Sequence, residues 1–136
     1  MLKVVEKIYE SPIRMIAKPG VKFEPGQVGR IIELPNGTAI CDISDGMSAI
    51  GIVGSRRFIT GELSFLPEDM IRLWTQRMVF RTDRYDKRFK YETGAALYVN
   101  KFGLLSLEPA IEGAHYVARV ITGPSRNHRH FEALWL

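Results

Sequence analysis

The sequence predicts an all-β fold: a small β-barrel or sandwich of two similar meander halves, with at most one or two short helical turns. Three observations carry that prediction. Glycine and proline recur throughout, with 12 Gly and 7 Pro in 136 residues, leaving segments of only about five to eight residues between turn signals. Those segments are rich in Val, Ile, Phe and Tyr, residues that fit a pleated, half-buried surface. Two stretches also share one pattern: an aromatic-Glu-x-Gly turn, a strand, a glycine turn, a second strand, then an apolar strand running to a glycine.

Met1 to Glu10 reads as a strand or a short helix. Ile13–Ile16, Val28–Ile32, Thr38–Ile43 and Ala49–Val53 read as short strands. Leu34-Pro-Asn-Gly37 is the turn between two of them, because Asn-Gly tolerates the positive φ of a tight hairpin. Pro67 to Trp74 reads two ways. Proline with acids behind it opens a helical turn, whereas Met70 to Arg81 alternates as a strand with neither face clean. The favoured reading is a long strand or extended arm from Ile71. Residues 62–90 are then an extended arm or connecting segment within a single β-rich domain spanning 1–136. Trp74 reads first as a core anchor and second as an interface residue. Ala95–Val99, Leu104–Leu107, Tyr116–Ile121 and Phe131–Leu136 complete the set, with a turn at Asn100–Gly103. A terminus as apolar as Trp135-Leu136 belongs in a sheet or against a partner.

The two patterned stretches begin at Phe23-Glu-Pro-Gly26 and Tyr91-Glu-Thr-Gly94. The first runs through Asn36-Gly37 to Ala49-Ile-Gly-Ile-Val-Gly54, the second through Gly103 to Val117-Ala-Arg-Val-Ile-Thr-Gly123. From aromatic to turn glycine is 14 residues in one and 12 in the other. The pattern implies two similar halves completing one barrel or sandwich.

Composition narrows the function classes. At 46% hydrophobic and 25% charged the chain is globular. Its one cysteine, Cys41, excludes a disulfide framework and a multi-cysteine zinc site. No apolar run approaches the roughly 18 residues of a membrane-spanning helix, and charges stand where a secretory leader needs an apolar run. A soluble protein made in a reducing compartment, with no membrane partner, is expected. Net charge is +4, and residues 76–90 hold six basic against two acidic residues, the whole excess. Such a patch points to an anionic partner, unless its arginines pair with acids elsewhere in the fold.

Chemistry is sparse. His128 and His130 are two apart, which puts them on one face if that stretch is a strand, but no third ligand has diagnostic spacing, Arg126 and Arg129 flank them, and the stretch reads as an exposed basic loop. Cys41 lies in an apolar strand and reads as a buried structural thiol. Asp45-Gly46 reads as a turn former. There is no phosphate-cradling glycine loop and no nucleophile elbow. No catalytic residue, metal or cofactor is expected, and no enzyme. Phe80, Tyr85 and Phe89 among the arginines of 76–90 have the composition of a single-strand nucleic-acid platform, without the sequence pattern of an RNA-recognition motif. Large aromatics beside arginines also match protein interfaces. Trp74, Arg77, Phe80, Arg81, Arg84, Tyr85 and Arg88, with Phe131 and Trp135 of the C-terminus, are the candidate contact residues.

Phe23-Glu-Pro-Gly-Gln-Val28 with Gly46 to Val53, and Tyr91 to Val99 with Phe131 to Leu136, resemble the small β-barrel structural proteins of tailed-bacteriophage virions, of the capsid decoration or cement type. That resemblance implies a protein that binds the major capsid protein or other virion proteins and stabilises the shell. It implies a homo-oligomer, a trimer favoured, located in the virion after synthesis in the host cytoplasm. A tail or connector component is the near alternative, and a nucleic-acid-binding β-barrel the alternative of another class.

Overall fold

The computed structural model describes residues 2–7, 13–54, 70–75, 77–125 and 129–136. Among them are eleven strands: β1 (Leu2–Lys7), β2 (Ile13–Ile16), β3 (Val28–Glu33), β4 (Ala39–Ile43), β5 (Gly51–Val53), β6 (Met70–Trp74), β7 (Met78–Thr82), β8 (Ala96–Val99), β9 (Leu105–Ser106), β10 (Ala118–Thr122) and β11 (Phe131–Trp135). No helix occurs among the described residues. The strands form a five-stranded sheet, β2-β6-β5-β3-β4, and a six-stranded sheet, β1-β7-β11-β10-β8-β9.

Without β1 the two sheets have one topology. β2 to β6 correspond to β7 to β11, strand for strand, in the same spatial order. Their registers also agree. Gly29 faces Gly51 as Leu97 faces Ala118. Ile31 faces Cys41 as Val99 faces Leu105. Val53 faces Leu73 as Val120 faces Ala133. The turn glycines make matching bonds: Gly26 N–H donates to Val53 O and Gly94 N–H to Val120 O, each at 2.8 Å. The hairpins close alike, Leu34 N–H on Thr38 O and Asn100 N–H on Leu104 O. β3 is two residues longer than β8, which accounts for the unequal spacings in the sequence.

In each half the chain just beyond the first strand makes an isolated parallel bridge to the third, Ala17 to Cys41 and Tyr85 to Leu105, curling the sheet toward a barrel. Each half leaves a simple up-and-down path at one step. The fourth strand returns to the far edge of the second, and the fifth lies between the fourth and the first.

Residues 70–82 connect the halves. β6 lies in one sheet and β7 in the other, so the single long strand from Ile71 is in fact two. In β6 Ile71, Arg72 and Leu73 are all buried, the apolar pair on the odd positions, whereas in β7 the buried residues are the even ones, Met78, Phe80 and Thr82. The phase inverts where the chain changes sheet, which is why neither face looked clean. Met70–Trp74 is strand rather than helix; the remainder of the helical-turn expectation, 67–69, and residues 62–69 of the arm lie outside the described residues.

The main core draws Val28 and Ile52 from the first half and Phe80, Leu97, Leu105, Val120 and Trp135 from the second. A smaller cluster, Cys41, Val53, Ile71 and Leu73 with Ala17 and Phe23 against it, packs on the five-stranded sheet. Tyr85, Tyr91 and Phe131 stand in the second half where Ala17, Phe23 and Ile71 stand in the first. Phe131 lies 4.8 Å from the Tyr85 ring and 5.3 Å from the Tyr91 ring, centroid to centroid, a packing worth roughly 0.5–1.5 kcal/mol per pair beyond area burial. The halves touch backbone to backbone. Val28 N–H donates to Gly103 O at 2.7 Å, a Cβ on Gly103 would sit on Ile43 Cγ2, and one on Gly26 would meet Thr82 Oγ1 at 2.7 Å.

Candidate interaction surface

Strand pairing decides where the candidate contact residues point. Phe80, Tyr85, Phe131 and Trp135 are buried core residues, and Trp74 is half-buried against the same core. A contact role would require ring surface that these four do not offer. Arg77 is exposed. Arg81 faces Glu132 across β7 and β11 and pairs with it at 3.0 Å. Arg84 pairs with Glu24 of the other half at 2.9 Å. Arg88 grips Asp86, Nη2 to Oδ2 at 2.7 Å and Nε to Oδ1 at 3.0 Å. Much of the positive charge of 76–90 therefore answers carboxylates of the same chain.

Asp86 is the most elaborated of these carboxylates. It is buried and also accepts from the Arg88 N–H at 3.1 Å and from Ser106 Oγ at 3.3 Å. The Arg88 side chain brings its pKa down to about 2 despite burial, which acts the other way. Tyr91 donates its hydroxyl to Asp86 O at 2.6 Å, and burial followed by the Asp86 charge pushes that phenol up. Nearby, Asn100 Oδ1 accepts from the N–H groups of Phe102 and Leu104 at 2.9 and 3.0 Å, fixing the second-half hairpin.

These groups wall a groove of about 700 Å³ whose rim carries Lys87, Arg88, Lys101, Phe102 and Glu108. The Lys87 ammonium stands 3.6 Å over the Tyr85 ring, and that of Lys101 5.1 Å from the Phe102 ring. Phe102 is 62% exposed. A groove so lined can bind an anionic group by charge and a flat or apolar group on Phe102.

The first half uses its acids similarly. Arg30 bridges Asp42 at 3.2 Å and Asp45 at 3.0 Å. Burial raises the Asp42 pKa, but the Ile43 N–H, Arg30 and Lys18 outweigh it and the net shift is downward. Asp45 accepts from Ser48 and Met47 N–H groups, which lower its pKa; it is the turn former the sequence indicated. Cys41 is fully buried, and burial, then the Asp42 charge, push its thiol up to about 12. Among the described residues no three His, Cys, Asp or Glu side chains gather as a metal site; His128 lies outside them.

Sequence reasoning missed the exposed apolar side chains: among the described residues Ile13, Ile16, Ile31, Met47, Phe102, Ile111, Tyr116 and Leu136. It also missed how the halves divide the charge. Residues 13–75 carry seven basic and seven acidic residues, and 76–136 carry ten and six. Comparison with protein-family models, with curated proteins and with solved structures finds no match.

Proposed function

We propose that the chain is a structural protein of a tailed-bacteriophage particle, of the capsid decoration type, acting through protein contacts rather than chemistry. The observation that carries this reading is how the ionisable side chains are spent. Asp42, Asp45, Asp86, Arg30, Arg81, Arg84 and Arg88 hold turns, strand pairs and the junction of the halves, while exposed apolar residues and a basic second half face outward. That distribution suits a rigid adaptor. Mass spectrometry of particles purified from lysed cells that carry its gene tests the reading. Copies in fixed ratio to the shell subunit are expected; particles without the chain overturn it.

A second reading has its own support. Lys101 stands beside the exposed Phe102 ring on a groove rim that also carries Lys87 and Arg88, an arrangement that also suits a nucleic-acid strand. Retention of nucleic acid at about 50 mM salt and its loss at about 500 mM would favour this reading over the first.

A further inference from the structure

The junction of the halves joins unlike faces. The first half supplies a receiving face around Gly26, Val28 and Ile43. The second supplies its 100–103 hairpin, whose Gly103 O accepts the Val28 N–H at 2.7 Å. Neither glycine has room for a side chain. A Cβ on Gly26 would lie 2.7 Å from Thr82 Oγ1 and 2.8 Å from Arg84 Cβ, and one on Gly103 would fall on Ile43 Cγ2. Strand correspondence repeats each part in the other half. Gly94, Ala96 and Leu107 repeat Gly26, Val28 and Ile43, and Gly37 repeats Gly103. These counterparts do not meet one another within the chain. Among the described residues a Cβ on Gly94, at φ +86°, finds nothing within 4 Å, and one on Gly37, at φ +85°, finds Glu33 Oε1 at 3.9 Å. Residues 35–38 and 92–94 are exposed. The Val117 and Val120 N–H groups donate to Leu97 O and Ala95 O, so Ala96 turns its own N–H away from β10. On that side β9 pairs with Tyr98 and Val99, and no acceptor for the Ala96 N–H occurs among the described residues.

We propose that the receiving face of the second half takes the 34–38 hairpin of another copy of this chain, repeating between chains the junction made within one. Ala96 N–H donates to Gly37 O of the other copy, Gly37 lies against Leu107, and Gly94 lies against Met15, the counterpart of Thr82. The fold selects this occupant. The first-half face is filled by a hairpin of this architecture. The same N–H, glycine and apolar side chain recur on the second-half face, and the matching hairpin stands uncovered at the other end of the chain. A junction of unlike faces leaves one of each free. Copies therefore join in a single sense, closing a ring or running on as a filament. The joint is weaker than the internal one. Glu92 stands where Glu24 stands, but Ile16 and Ala17 occupy the place of Arg84, so the 2.9 Å ion pair between Arg84 and Glu24 has no counterpart. Nor does a covalent link raise the local concentration of the partners, so association is reversible. The inference does not depend on the phage reading.

Sedimentation of the full chain from about 10 μM to about 1 mM, a range suited to a small untethered contact, tests it. Assemblies of two or more chains, growing with concentration, are expected. Gly94→Asn and Gly37→Asn each put a side chain into one face, while asparagine keeps the left-handed turn. Each should weaken association at least ~10-fold. Mixed one to one, the two variants should pair with each other and stop at a dimer, because one retains the hairpin and the other the receiving face. Cooperative unfolding of each variant checks that it folds. In the unsubstituted chain, which needs no such check, the Ala96 amide should exchange more slowly as concentration rises. A monomer throughout overturns the proposal, as does an assembly that survives either substitution, or folded variants that fail to pair when mixed. So does an Ala96 amide that is protected where the chain sediments as a monomer, which would mean that the chain covers this face itself.

Discussion

Gly37 and Gly103 occupy the same place in the two halves, and the structure assigns them different costs. Each closes a hairpin with positive φ, +85° and +77°, and donates its N–H, to Leu34 O at 2.8 Å and to Asn100 O at 3.0 Å. Alanine in the left-handed region costs roughly 1–2 kcal/mol, offset by about 0.4–1 kcal/mol from the stiffer unfolded chain. At Gly37 nothing more is added, since the nearest atom to a new Cβ is Glu33 Oε1 at 3.9 Å. Gly37→Ala should cost about 1 kcal/mol. At Gly103 the Cβ is driven onto Ile43 Cγ2 and lies 3.3 Å from Val28 O, at the junction of the halves. Overpacking adds roughly 1–3 kcal/mol, so Gly103→Ala should cost about 2–4 kcal/mol. At about 2.1 cal/mol/K per residue, each kcal/mol is about 3–4 °C of Tm for this chain. Urea unfolding of both variants, with unchanged slope, measures the difference. A double-mutant cycle with Ile43→Ala assigns it, because removing Cγ2 should relieve most of the excess at Gly103 and none at Gly37. Equal losses at the two glycines, or an excess that survives Ile43→Ala, would refute the idea that the hairpin is pressed against the other half.

Three further outcomes are expected. Phe131→Ala removes the ring between Tyr85 and Tyr91 and should cost roughly 3–5 kcal/mol by thermal or chemical unfolding; a loss under about 1 kcal/mol would mean that the site collapses freely. Asp86 is depressed to about 2 in the folded chain against about 3.9 unfolded. Its contribution is therefore present above pH ~4 and lost as pH falls toward ~2, so Asp86→Asn should lower stability at pH 7 and flatten the acid limb, and an unchanged limb would count against the Arg88 pairing. The Cys41 thiol is raised to about 12 from about 8.5 unfolded, so stability should decline as pH rises from about 9, and thiol reagents at pH 8 should label it only as fast as the chain opens; rapid labelling of the native protein would contradict its burial.

Short strands were legible because glycine and proline bound them so closely, and the Phe23 and Tyr91 motifs were legible because both use a turn glycine at positive φ. The change of sheet between Trp74 and Met78 was not. An alternating pattern whose phase inverts mid-way reads as one imperfect strand unless the crossing is known. Phe80, Tyr85, Phe131 and Trp135 were read as contacts because an aromatic beside an arginine has the same composition whether the ring faces in or out. In Phe80-Arg81-Thr82 the two-residue alternation separates them, sending the arginine out to Glu132 and its neighbours inward.

Two identical halves would offer the same face twice. One half here holds a small cluster around Cys41, Val53, Ile71 and Leu73 and carries balanced charge; the other holds the aromatic cluster, the strand β1 and all the surplus positive charge. The product has a head and a tail. Whatever it sits on, a surface that attracts one end has no equal claim on the other, so the molecule is oriented before any specific contact forms. The copy number of that oriented unit is set by the gene rather than by how two separate barrels happen to meet.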